Sequence, residues 1–330
     1  MPKAVLLLSS EALSLVYPEP VMARLRPLAE SLKVFSPPEA WTTQPEALAE
    51  AEVIFSGWGA PRMDEAFLRR APKLRALFYA GGSVRYFLTE AFWARNIRVT
   101  TAQAINAIPV AEFTAAALVM GLKRVWHYAR LTRETASFPV ERPMAGAFGT
   151  TVGLVSYGII ARLVRARLRS LEVDVIVYDP FLSDAEAAAE GVTKVGLDEL
   201  FARSDAVSLH TPHLAETVGM VRGRHFELMR EGGFFLNTAR GEVVAEDEMI
   251  AVLSRRPDLQ AQLDVTSPEP PRPDSPLYTL PNVLLTPHIA GSMGGECQRM
   301  GMAMAEEFAR YVAGNPLRYE ITAQRAALIA

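Results

Sequence analysis

Residues 151–179 read TVGLVSYGIIARLVRARLRSLEVDVIVYD, and this stretch decides the fold class of the chain. An apolar run over residues 151–155 ends in a short turn, a helical pattern follows, and a second apolar run closes on Asp179. Continuously apolar runs of this length are typical of strands that are buried on both faces. Strand, turn, helix and strand in this order predict a parallel sheet built from right-handed crossovers.

The turn in this stretch is a degenerate form of the glycine motif that binds dinucleotides. Ser156 stands where the pattern G-x-G-x-x-G has its first glycine, and Ala161 replaces the third, which is the milder change. Gly158 is retained, and it lets the backbone approach a pyrophosphate beside the amide donors of a helix N-terminus. For this motif alone, an ordinary strand-turn-helix without a ligand is the alternative. The candidate phosphate-binding residues are Tyr157, Gly158, Ile159 and Ile160.

Asp179 favours the dinucleotide interpretation. It ends the second strand about 20 residues after the glycine turn, where an acidic residue takes the adenine-ribose hydroxyls. A carboxylate at this place would repel the 2′-phosphate of NADP, so we expect NAD as the cofactor. The alternative is an ordinary turn aspartate before Pro180.

The same alternation of strands and helices runs along most of the chain. The strand candidates are residues 4–8, 53–56, 74–79, 151–155, 173–178, 206–209, 234–237, 259–263 and 283–285. The helix candidates are residues 21–32, 110–124, 160–171, 246–255 and 294–313. A length of 330 residues is typical of two domains. We therefore predict an α/β fold with two doubly wound parallel-sheet lobes.

The composition indicates a globular protein with a large core. Half of the residues are hydrophobic, 22% are charged, and the net charge of −3 gives no indication of a nucleic-acid or membrane partner. Cys297 is the only cysteine, so no disulfide can form within the chain and a cytoplasmic location is favoured. The apolar run over residues 4–8 is too short for a signal peptide or a membrane span, and we find no longer candidate.

Three residues near the C-terminal end form a coherent set for chemistry on a small acid. Arg240, Glu269 and His288 each follow a short apolar run, so each is expected where a strand gives way to a loop. That edge is where open α/β sheets bind ligands. A guanidinium can hold a carboxylate, an imidazole can pass a proton, and a carboxylate beside the imidazole fixes its tautomer and favours its charged form. Taken singly, the three residues are equally an ion-pair arginine, a turn carboxylate and a loop histidine.

These blocks resemble the D-isomer-specific 2-hydroxyacid dehydrogenases, the family that includes phosphoglycerate dehydrogenase and glyoxylate/hydroxypyruvate reductase. The resemblance is strongest over residues 237–241, 264–270 and 286–291. It implies an NAD-binding Rossmann domain over residues 103–290. It also implies a discontinuous, flavodoxin-like substrate domain over residues 1–102 and 291–330, with the active site in the cleft.

The resemblance gives each residue of the set a role. It implies that Arg240 binds the substrate carboxylate and carbonyl, that His288 is the acid/base, and that Glu269 is the partner of the histidine. It places Asp264 at the nicotinamide carboxamide. The other cofactor-binding residues that it implies are His210, Thr211, Pro212, Thr217, Thr238, Ala239, Arg240, His288, Ala290 and Gly291. A metal site at His210 and His213 is rejected, because Pro212 breaks any helix there and no thiol or carboxylate cluster accompanies them.

The substrate domain departs from the family pattern. Gly82 and Ser83 lie in the place of a glycine-rich loop whose amides hold the substrate carboxylate, and Arg85 replaces the usual acidic residue. Trp58 lies in a segment that carries a phosphate-reading arginine in phosphoglycerate dehydrogenases, which argues against 3-phosphoglycerate as the substrate. Trp58 either lines the pocket or belongs to the core. Arg85 either contacts an anionic far end of the substrate or faces solvent; we favour the second, with glyoxylate or hydroxypyruvate as the kind of substrate.

The expected partners are a small 2-hydroxy or 2-keto acid and a second copy of the chain, with no nucleic acid and no membrane. The homodimer is expected because residues 111–128 are more apolar than one buried face requires. Two other functions stay open on the sequence. One is a non-enzymatic dinucleotide-sensing protein of corepressor type, which retains the same three residues. The other is a dehydrogenase of the same fold that acts on another small anion, such as formate or phosphite.

Overall fold

The chain folds into two compact units. The computed structural model describes residues 1–140 and 143–328. The first unit consists of Met1–Asn106 and the chain from Ser292 onward, and the second unit is Ala107–Gly291. The divisions predicted from the sequence lie at 102/103 and 290/291.

Each unit is built on one sheet. The strands, in chain order, are β1 (Lys3–Leu7), β2 (Ser31–Phe35), β3 (Val53–Ser56), β4 (Ala76–Tyr79), β5 (Arg98–Thr101), β6 (Thr151–Val155), β7 (Asp174–Tyr178), β8 (Thr193–Lys194), β9 (Ala206–Leu209), β10 (Phe234–Asn237), β11 (Gln260–Leu263), β12 (Val283–Leu285) and β13 (Glu320–Ile321).

The helices, in chain order, are α1 (Ser10–Val16), α2 (Glu19–Leu25), α3 (Pro45–Glu50), α4 (Glu65–Arg70), α5 (Glu90–Trp93), α6 (Gln103–Leu122), α7 (Val125–Thr135), α8 (Ile159–Leu168), α9 (Asp184–Glu190), α10 (Leu197–Arg203), α11 (Gly223–Leu228), α12 (Glu246–Arg255), α13 (Gly295–Val312) and α14 (Ala323–Ala327). Short 3-10 turns lie at Arg26–Leu28, Pro38–Thr43, Gly241–Val243 and Pro276–Tyr278.

The first sheet has the strand order β13-β5-β4-β3-β1-β2, and it is parallel except for β13, which pairs antiparallel with β5. The five parallel strands follow the 2-1-3-4-5 order of flavodoxin-like folds. Every residue of β3 and β4 is buried, as expected for inner strands that are covered on both faces.

The second sheet has the strand order β12-β11-β10-β9-β6-β7-β8, and its pairs are parallel. Renumbered from β6, this is the 3-2-1-4-5-6 order of the dinucleotide-binding fold with one more strand. The predicted α/β class with two doubly wound lobes is therefore confirmed.

The helix α13 belongs to the first unit because its apolar face packs on the first sheet. The Phe308 ring lies 5.0 Å from that of Phe55 and 5.6 Å from that of Phe78, edge-on in both cases. Met300 and Met304 are fully buried in the same cluster. The C-terminal segment thereby completes the core that the N-terminal strands begin.

The predicted helix over residues 21–32 was wrong in its second half. The helix α2 ends at Leu25, the 3-10 turn at Arg26–Leu28 follows, and the chain then enters the edge strand β2. Pro27 lacks the amide that would continue an α-helix. The strand β2 is mostly exposed, so it has no apolar run that would reveal it in the sequence.

The helix α6 corrects two expectations. It begins at Gln103 rather than at residue 110 and runs through Pro109, which removes only one amide donor from the helix. By length and composition α6 is apolar enough to cross a membrane, so the statement that no such candidate exists was wrong. Half of that stretch is buried in the protein, and Ala111, Leu118 and Leu122 pack in a core of the second unit. A core helix of a globular protein meets the same criteria.

Candidate functional site

Arg240, Glu269 and His288 lie at the carboxyl edge of the second sheet. They follow β10, β11 and β12, which are consecutive neighbours in the sheet. Because the three strands are parallel, the loops after them leave the sheet at the same edge. Residues that are up to 48 positions apart in the sequence therefore lie in neighbouring loops.

His288 and Glu269 form a hydrogen-bonded pair. The Nδ1 atom of His288 lies 2.7 Å from Oε1 of Glu269. An ionised carboxylate only accepts hydrogen bonds, so Nδ1 carries the proton and donates it. The Nε2 atom is then the one that can exchange a proton with a substrate. The side chains of both residues are partly exposed, as a group that meets a substrate must be.

A buried carboxylate, that of Asp264, holds the turn that presents His288. Its Oδ1 accepts hydrogen bonds from Thr286 Oγ1 at 2.6 Å and from the Ile289 amide at 2.9 Å, and its Oδ2 accepts one from the Ala290 amide at 2.8 Å. The Asp264 carbonyl also accepts from the His288 amide at 2.9 Å. His288 has a left-handed φ of 54°, a conformation that costs free energy in a residue other than glycine. The bonds to Asp264 offset that cost.

The resemblance assigned Asp264 to the nicotinamide carboxamide, and the structure gives both of its oxygens partners within the chain. Three of the roughly four acceptor positions of a carboxylate are occupied. The positioning of His288 by Asp264 is a role that the sequence analysis missed. Its only sequence signal was an acidic residue directly after a buried strand.

Arg240 is half-buried in a turn that its own neighbours fix. The Asn237 side chain accepts a hydrogen bond from the Ala239 amide at 2.9 Å and donates one to the Arg240 carbonyl at 3.0 Å. The Nη1 atom of Arg240 donates to the Ala239 carbonyl at 2.6 Å. Burial lowers the pKa of the guanidinium from its usual value, while the carboxylates of Glu242 and Glu269 act in the opposite direction. An arginine stays charged under such shifts, so the turn presents a cation.

The backbone of Gly241, next to Arg240, packs directly against the backbone of the loop that leads to Glu269. A Cβ built on Gly241 would lie 2.0 Å from the carbonyl carbon of Thr266 and 2.6 Å from the amide nitrogen of Ser267. The same amide donates a hydrogen bond of 2.9 Å to the Glu246 carboxylate at the start of α12. The relative placement of Arg240 and Glu269 therefore depends on direct contact between two backbones.

Replacing Gly241 with alanine should move these loops apart. A displacement of about 1 Å at a reacting group costs on the order of 10²-fold in rate, so we expect a loss of that size in kcat/KM. Gly196→Ala is the matched control, because Gly196 has a φ of −69° and a Cβ there meets nothing within 4 Å in the described part of the chain. Steady-state kinetics and thermal melts of both variants provide the measurement. Equal activity of the two variants would show that this backbone contact does not place the site.

The glycine turn after β6 fits a dinucleotide. Ser156, at the place of the first motif glycine, has a left-handed φ of 70°, and its hydroxyl lies 2.8 Å from that of Thr211. The chain thus makes the tight turn without glycine and holds it with a side-chain hydrogen bond. Gly158 is the N-cap of α8, and among the described residues no side chain caps that helix. A Cβ at Gly158 would meet nothing within 4 Å there, which leaves space and amide donors for a pyrophosphate.

Asp179 is at the end of β7 and is tied to the glycine turn. Its Oδ2 accepts a hydrogen bond from the Tyr157 amide at 2.7 Å, and its Oδ1 accepts from the amides of Phe181 at 2.7 Å and Leu182 at 3.1 Å. The carboxylate is half-buried and keeps acceptor capacity beyond these three bonds. It is therefore placed beside the turn, as a ribose-binding acid must be.

The other residues expected at the cofactor lie in the same unit. Burial lowers the pKa of His210 to about 3, so its ring is neutral, and its buried Nε2 has no hydrogen-bond partner among residues 1–140 and 143–328. Thr217 Oγ1 donates to the Pro212 carbonyl at 2.6 Å, which closes the loop after β9. Thr238 pairs with Thr114 through their hydroxyls at 3.3 Å. Ala290 is buried next to Gly291 at the end of the His288 turn.

The loop after β4, in the first unit, contains the residues expected to meet the substrate. Gly82 and Ser83 are half-buried and Arg85 is exposed. Trp58 follows β3 with 37% of its surface exposed, so it does not belong to the core. Since Ser56 and Tyr79 are paired at the ends of β3 and β4, Trp58 leaves the sheet beside this loop.

Comparisons with known proteins give the chain its family. The model of the D-isomer specific 2-hydroxyacid dehydrogenase, NAD binding domain, matches residues 115–290. The D-3-phosphoglycerate dehydrogenase of Archaeoglobus fulgidus is 32% identical over 257 residues, which cover 78% of this chain and 49% of that protein. The chain spans about half the length of the curated relatives it matches.

Solved structures of other proteins are similar in fold to this chain over nearly its whole length. The TT0316 protein from Thermus thermophilus is 27% identical with a TM-score of 0.76, over 97% of this chain and all of that one. A phosphoglycerate oxidoreductase from Rhizobium etli has a TM-score of 0.82 over 98% of this chain and 99% of that one, and at 22% identity it shows likeness of fold alone. Since the family model covers more than half of its residues, this chain belongs to the D-isomer specific 2-hydroxyacid dehydrogenase family and contains the family's NAD-binding domain.

Proposed function

We propose that the protein is an NAD-dependent D-2-hydroxyacid dehydrogenase, or 2-keto acid reductase, acting on the CH–OH group of a small acid. The observation that carries this proposal is the His288–Glu269 pair, at 2.7 Å, on the same sheet edge as the Arg240 cation. A proton donor and an anion-binding guanidinium are the two groups that reduction of a 2-keto acid requires from the protein.

Each residue of the set has a distinct task. Arg240 binds the substrate carboxylate and polarises its carbonyl, because a guanidinium offers several donors in one plane. His288 gives the proton from Nε2 to the carbonyl oxygen, while its Nδ1 proton stays on the hydrogen bond to Glu269. The hydrogen bond to Glu269 fixes the orientation of the imidazole ring. The nicotinamide dinucleotide, when bound, supplies the hydride.

Two further groups hold the ligands in this proposal. The amides of Tyr157 to Ile160 at the start of α8 bind the pyrophosphate, and Asp179 binds the adenine ribose. Gly82 and Ser83 provide backbone amides for the substrate carboxylate, and Trp58 limits the bulk of the substrate. The alternative of a non-enzymatic dinucleotide sensor is not favoured, because the curated relatives are named as dehydrogenases.

The experiment that tests the proposal is a turnover assay with NADH and a panel of acids. Glyoxylate, pyruvate, hydroxypyruvate and a dicarboxylic keto acid are each added to the full chain, and NADH oxidation is followed. Formate and phosphite are assayed with NAD in the opposite direction. We expect turnover of at least one keto acid and none of formate or phosphite. Binding of NADH without turnover of any acid would contradict the proposal and support a dinucleotide sensor.

Asp179 should make NADH the better cofactor. A carboxylate next to a 2′-phosphate costs several kcal/mol, so we expect kcat/KM to be at least about tenfold higher with NADH than with NADPH. In Asp179→Asn the difference should narrow, because the amide carries no charge and retains an oxygen for the Tyr157 amide. A preference of the unaltered chain for NADPH would show that Asp179 does not lie at the ribose.

We further propose a homodimer formed through the second unit. The helix α7 and the segment after it expose large apolar side chains, with Phe138 79%, Val140 95% and Phe148 77% exposed. A cavity of about 610 Å³ lies beside α7 and extends to the amino ends of β11 and β12. Exposed apolar surface of this kind is typical of a protein interface. The occupant that we propose is the same segment of a second copy.

Light scattering at micromolar concentration tests the assembly. We expect twice the mass of one chain, and the mass of one chain for the double variant Phe138→Asp, Val140→Asp. A monomeric unaltered chain would contradict the dimer.

A further inference from the structure

The carboxylate of Glu246 contacts the backbone of the loop that leads to Glu269. Glu246 is the first residue of the helix α12, and its Oε2 atom accepts a hydrogen bond from the Ser267 amide at 2.9 Å. The two residues are 21 positions apart in the sequence, so this bond joins the N-terminus of α12 to the loop after β11. The contact lies entirely within the second unit, as do the three residues of the candidate site.

The peptide bond between Thr266 and Ser267 is held by two contacts. The backbone of Gly241 is so close that a Cβ built there would lie 2.0 Å from the Thr266 carbonyl carbon. The N–H of the same peptide bond donates to Glu246. The contact with Gly241 is steric and sets how closely the loop can approach. The hydrogen bond to Glu246 is attractive and keeps the loop in that place.

The position of this peptide bond is passed on to Glu269. The Thr266 hydroxyl donates a hydrogen bond to the Pro268 carbonyl at 2.8 Å. That carbonyl belongs to the peptide bond that joins Glu269 to the chain. The backbone is therefore constrained up to the residue whose side chain accepts the hydrogen bond from Nδ1 of His288.

A carboxylate is suited to this contact, although its burial has a cost. Glu246 is half-buried. Burial raises its pKa above the usual value, the hydrogen bond from Ser267 acts in the opposite direction, and the charge of Asp247 raises the pKa further. Taking a carboxylate out of water costs free energy, so the chain maintains the contact against a penalty. In return, an ionised oxygen accepts a stronger hydrogen bond from an amide than a neutral oxygen does, and the dipole of α12 favours the charge.

This inference rests on the proposed function and deepens it. We propose that Glu246 is a positioning residue for the proton-transfer pair. It holds the loop at Ser267 so that the Glu269 carboxylate meets Nδ1 of His288. Its effect on the reaction is exerted through the position of Glu269 and not through contact with the substrate.

The test starts with Glu246→Ala in assays with NADH and a reducible keto acid. A displacement of about 1 Å at a reacting group costs on the order of 10²-fold in rate, and a loop without this bond is displaced for part of the time, so we expect a fall of about tenfold in kcat. The KM of the acid should change little, because Asn237 holds the turn of Arg240 independently of this contact.

Two conservative variants separate the hydrogen bond from the charge at the start of α12. Glu246→Gln should retain most of kcat, because its amide oxygen can accept from the Ser267 amide without a charge. Glu246→Asp keeps the charge, but its shorter side chain does not reach Ser267, so it should show the loss expected of alanine. The aspartate variant also provides the test if Glu246→Ala does not fold, since an acidic residue in the first turn favours the helix.

A double-variant cycle tests whether Glu246 acts through Glu269. In a Glu269→Ala background the group to be positioned is gone, so Glu246→Ala should lower kcat much less than in the unaltered chain. Asp247→Ala is the matched control, because Asp247 is an exposed acidic residue in the same first turn, and it should keep the full kcat.

Several results would overturn the role of Glu246. Near-normal kcat in Glu246→Ala would do so, as would equal losses in the glutamine and alanine variants. Equal losses from Glu246→Ala with and without Glu269 would show a general loosening of the unit and also contradict the proposal. An unaltered chain that reduces no keto acid would instead contradict the proposed function itself, so the two failures are distinguishable.

Discussion

His288→Ala is expected to lower kcat for keto-acid reduction by about 10²–10⁴, the usual contribution of a positioned proton donor. The Nε2 atom of His288 is the candidate donor because Nδ1 is engaged with Glu269 at 2.7 Å. Alanine leaves the carbonyl oxygen to take its proton from water. Steady-state assays at saturating acid and NADH measure the loss.

NADH binding provides the internal control for this variant. Asp264 holds the turn mainly through the backbone amides of Ile289 and Ala290 and the Thr286 hydroxyl, none of which the substitution removes. A fluorescence titration should therefore give an NADH affinity close to that of the unaltered chain. Near-normal turnover in His288→Ala would exclude the histidine as the acid/base.

Arg240→Met is expected to lower kcat/KM by about 10²–10³, because truncating one partner of a buried charged contact costs about 2–5 kcal/mol. The turn at Asn237 holds Arg240 at the site, and methionine keeps much of its apolar length without the cation. Both KM and kcat should respond, since the guanidinium binds the carboxylate and polarises the carbonyl. Arg240→Lys should recover only part of the loss, because an ammonium lacks the planar fork of donors.

Arg169→Met is the matched control for the charge. Arg169 is exposed at the C-terminal end of α8, so its replacement removes one positive charge without touching the candidate site. We expect the control to retain full activity. If both variants lost activity equally, the loss would come from the change in net charge and not from the contact of Arg240 with the substrate.

Several inner strands were predictable from the sequence because most of their residues are apolar. The strands β6, β9 and β10 have the bounds that the apolar runs gave, and all of β9 and β10 is buried. The strand β2 was missed because an edge strand exposes most of its side chains. The strand β13 has two residues and is defined by its pairing with β5, more than 200 positions away, which no local pattern can show.

The candidate site was predictable where a side chain that can react or bind an anion follows the end of a strand. The prediction of Arg240, Glu269 and His288 rested on their positions after apolar runs, and the parallel order of β10, β11 and β12 brings them to one edge. Contacts between loops were not predictable, because they depend on the approach of backbones in space. The close approach of the Gly241 backbone to the backbone of Thr266 and Ser267 is of this kind.

Ser156 shows how a side chain can compensate for a missing glycine. In the sequence it is the more serious departure from the glycine motif, since the first glycine makes the tight turn. The structure retains the left-handed φ at this position and adds a hydroxyl contact to Thr211 at 2.8 Å. A compensation of this kind depends on a residue 55 positions away.

Hydride transfer to C2 of the acid is the central claim, and isotope labelling tests it most directly. The full chain is incubated with a reducible keto acid and NADH that carries deuterium at the transferred position of C4, and the product is analysed by mass spectrometry and chiral chromatography. The account predicts a D-2-hydroxy acid with one deuterium bound to C2. A product without deuterium, a product of L configuration, or NADH that binds and is never oxidised would contradict it.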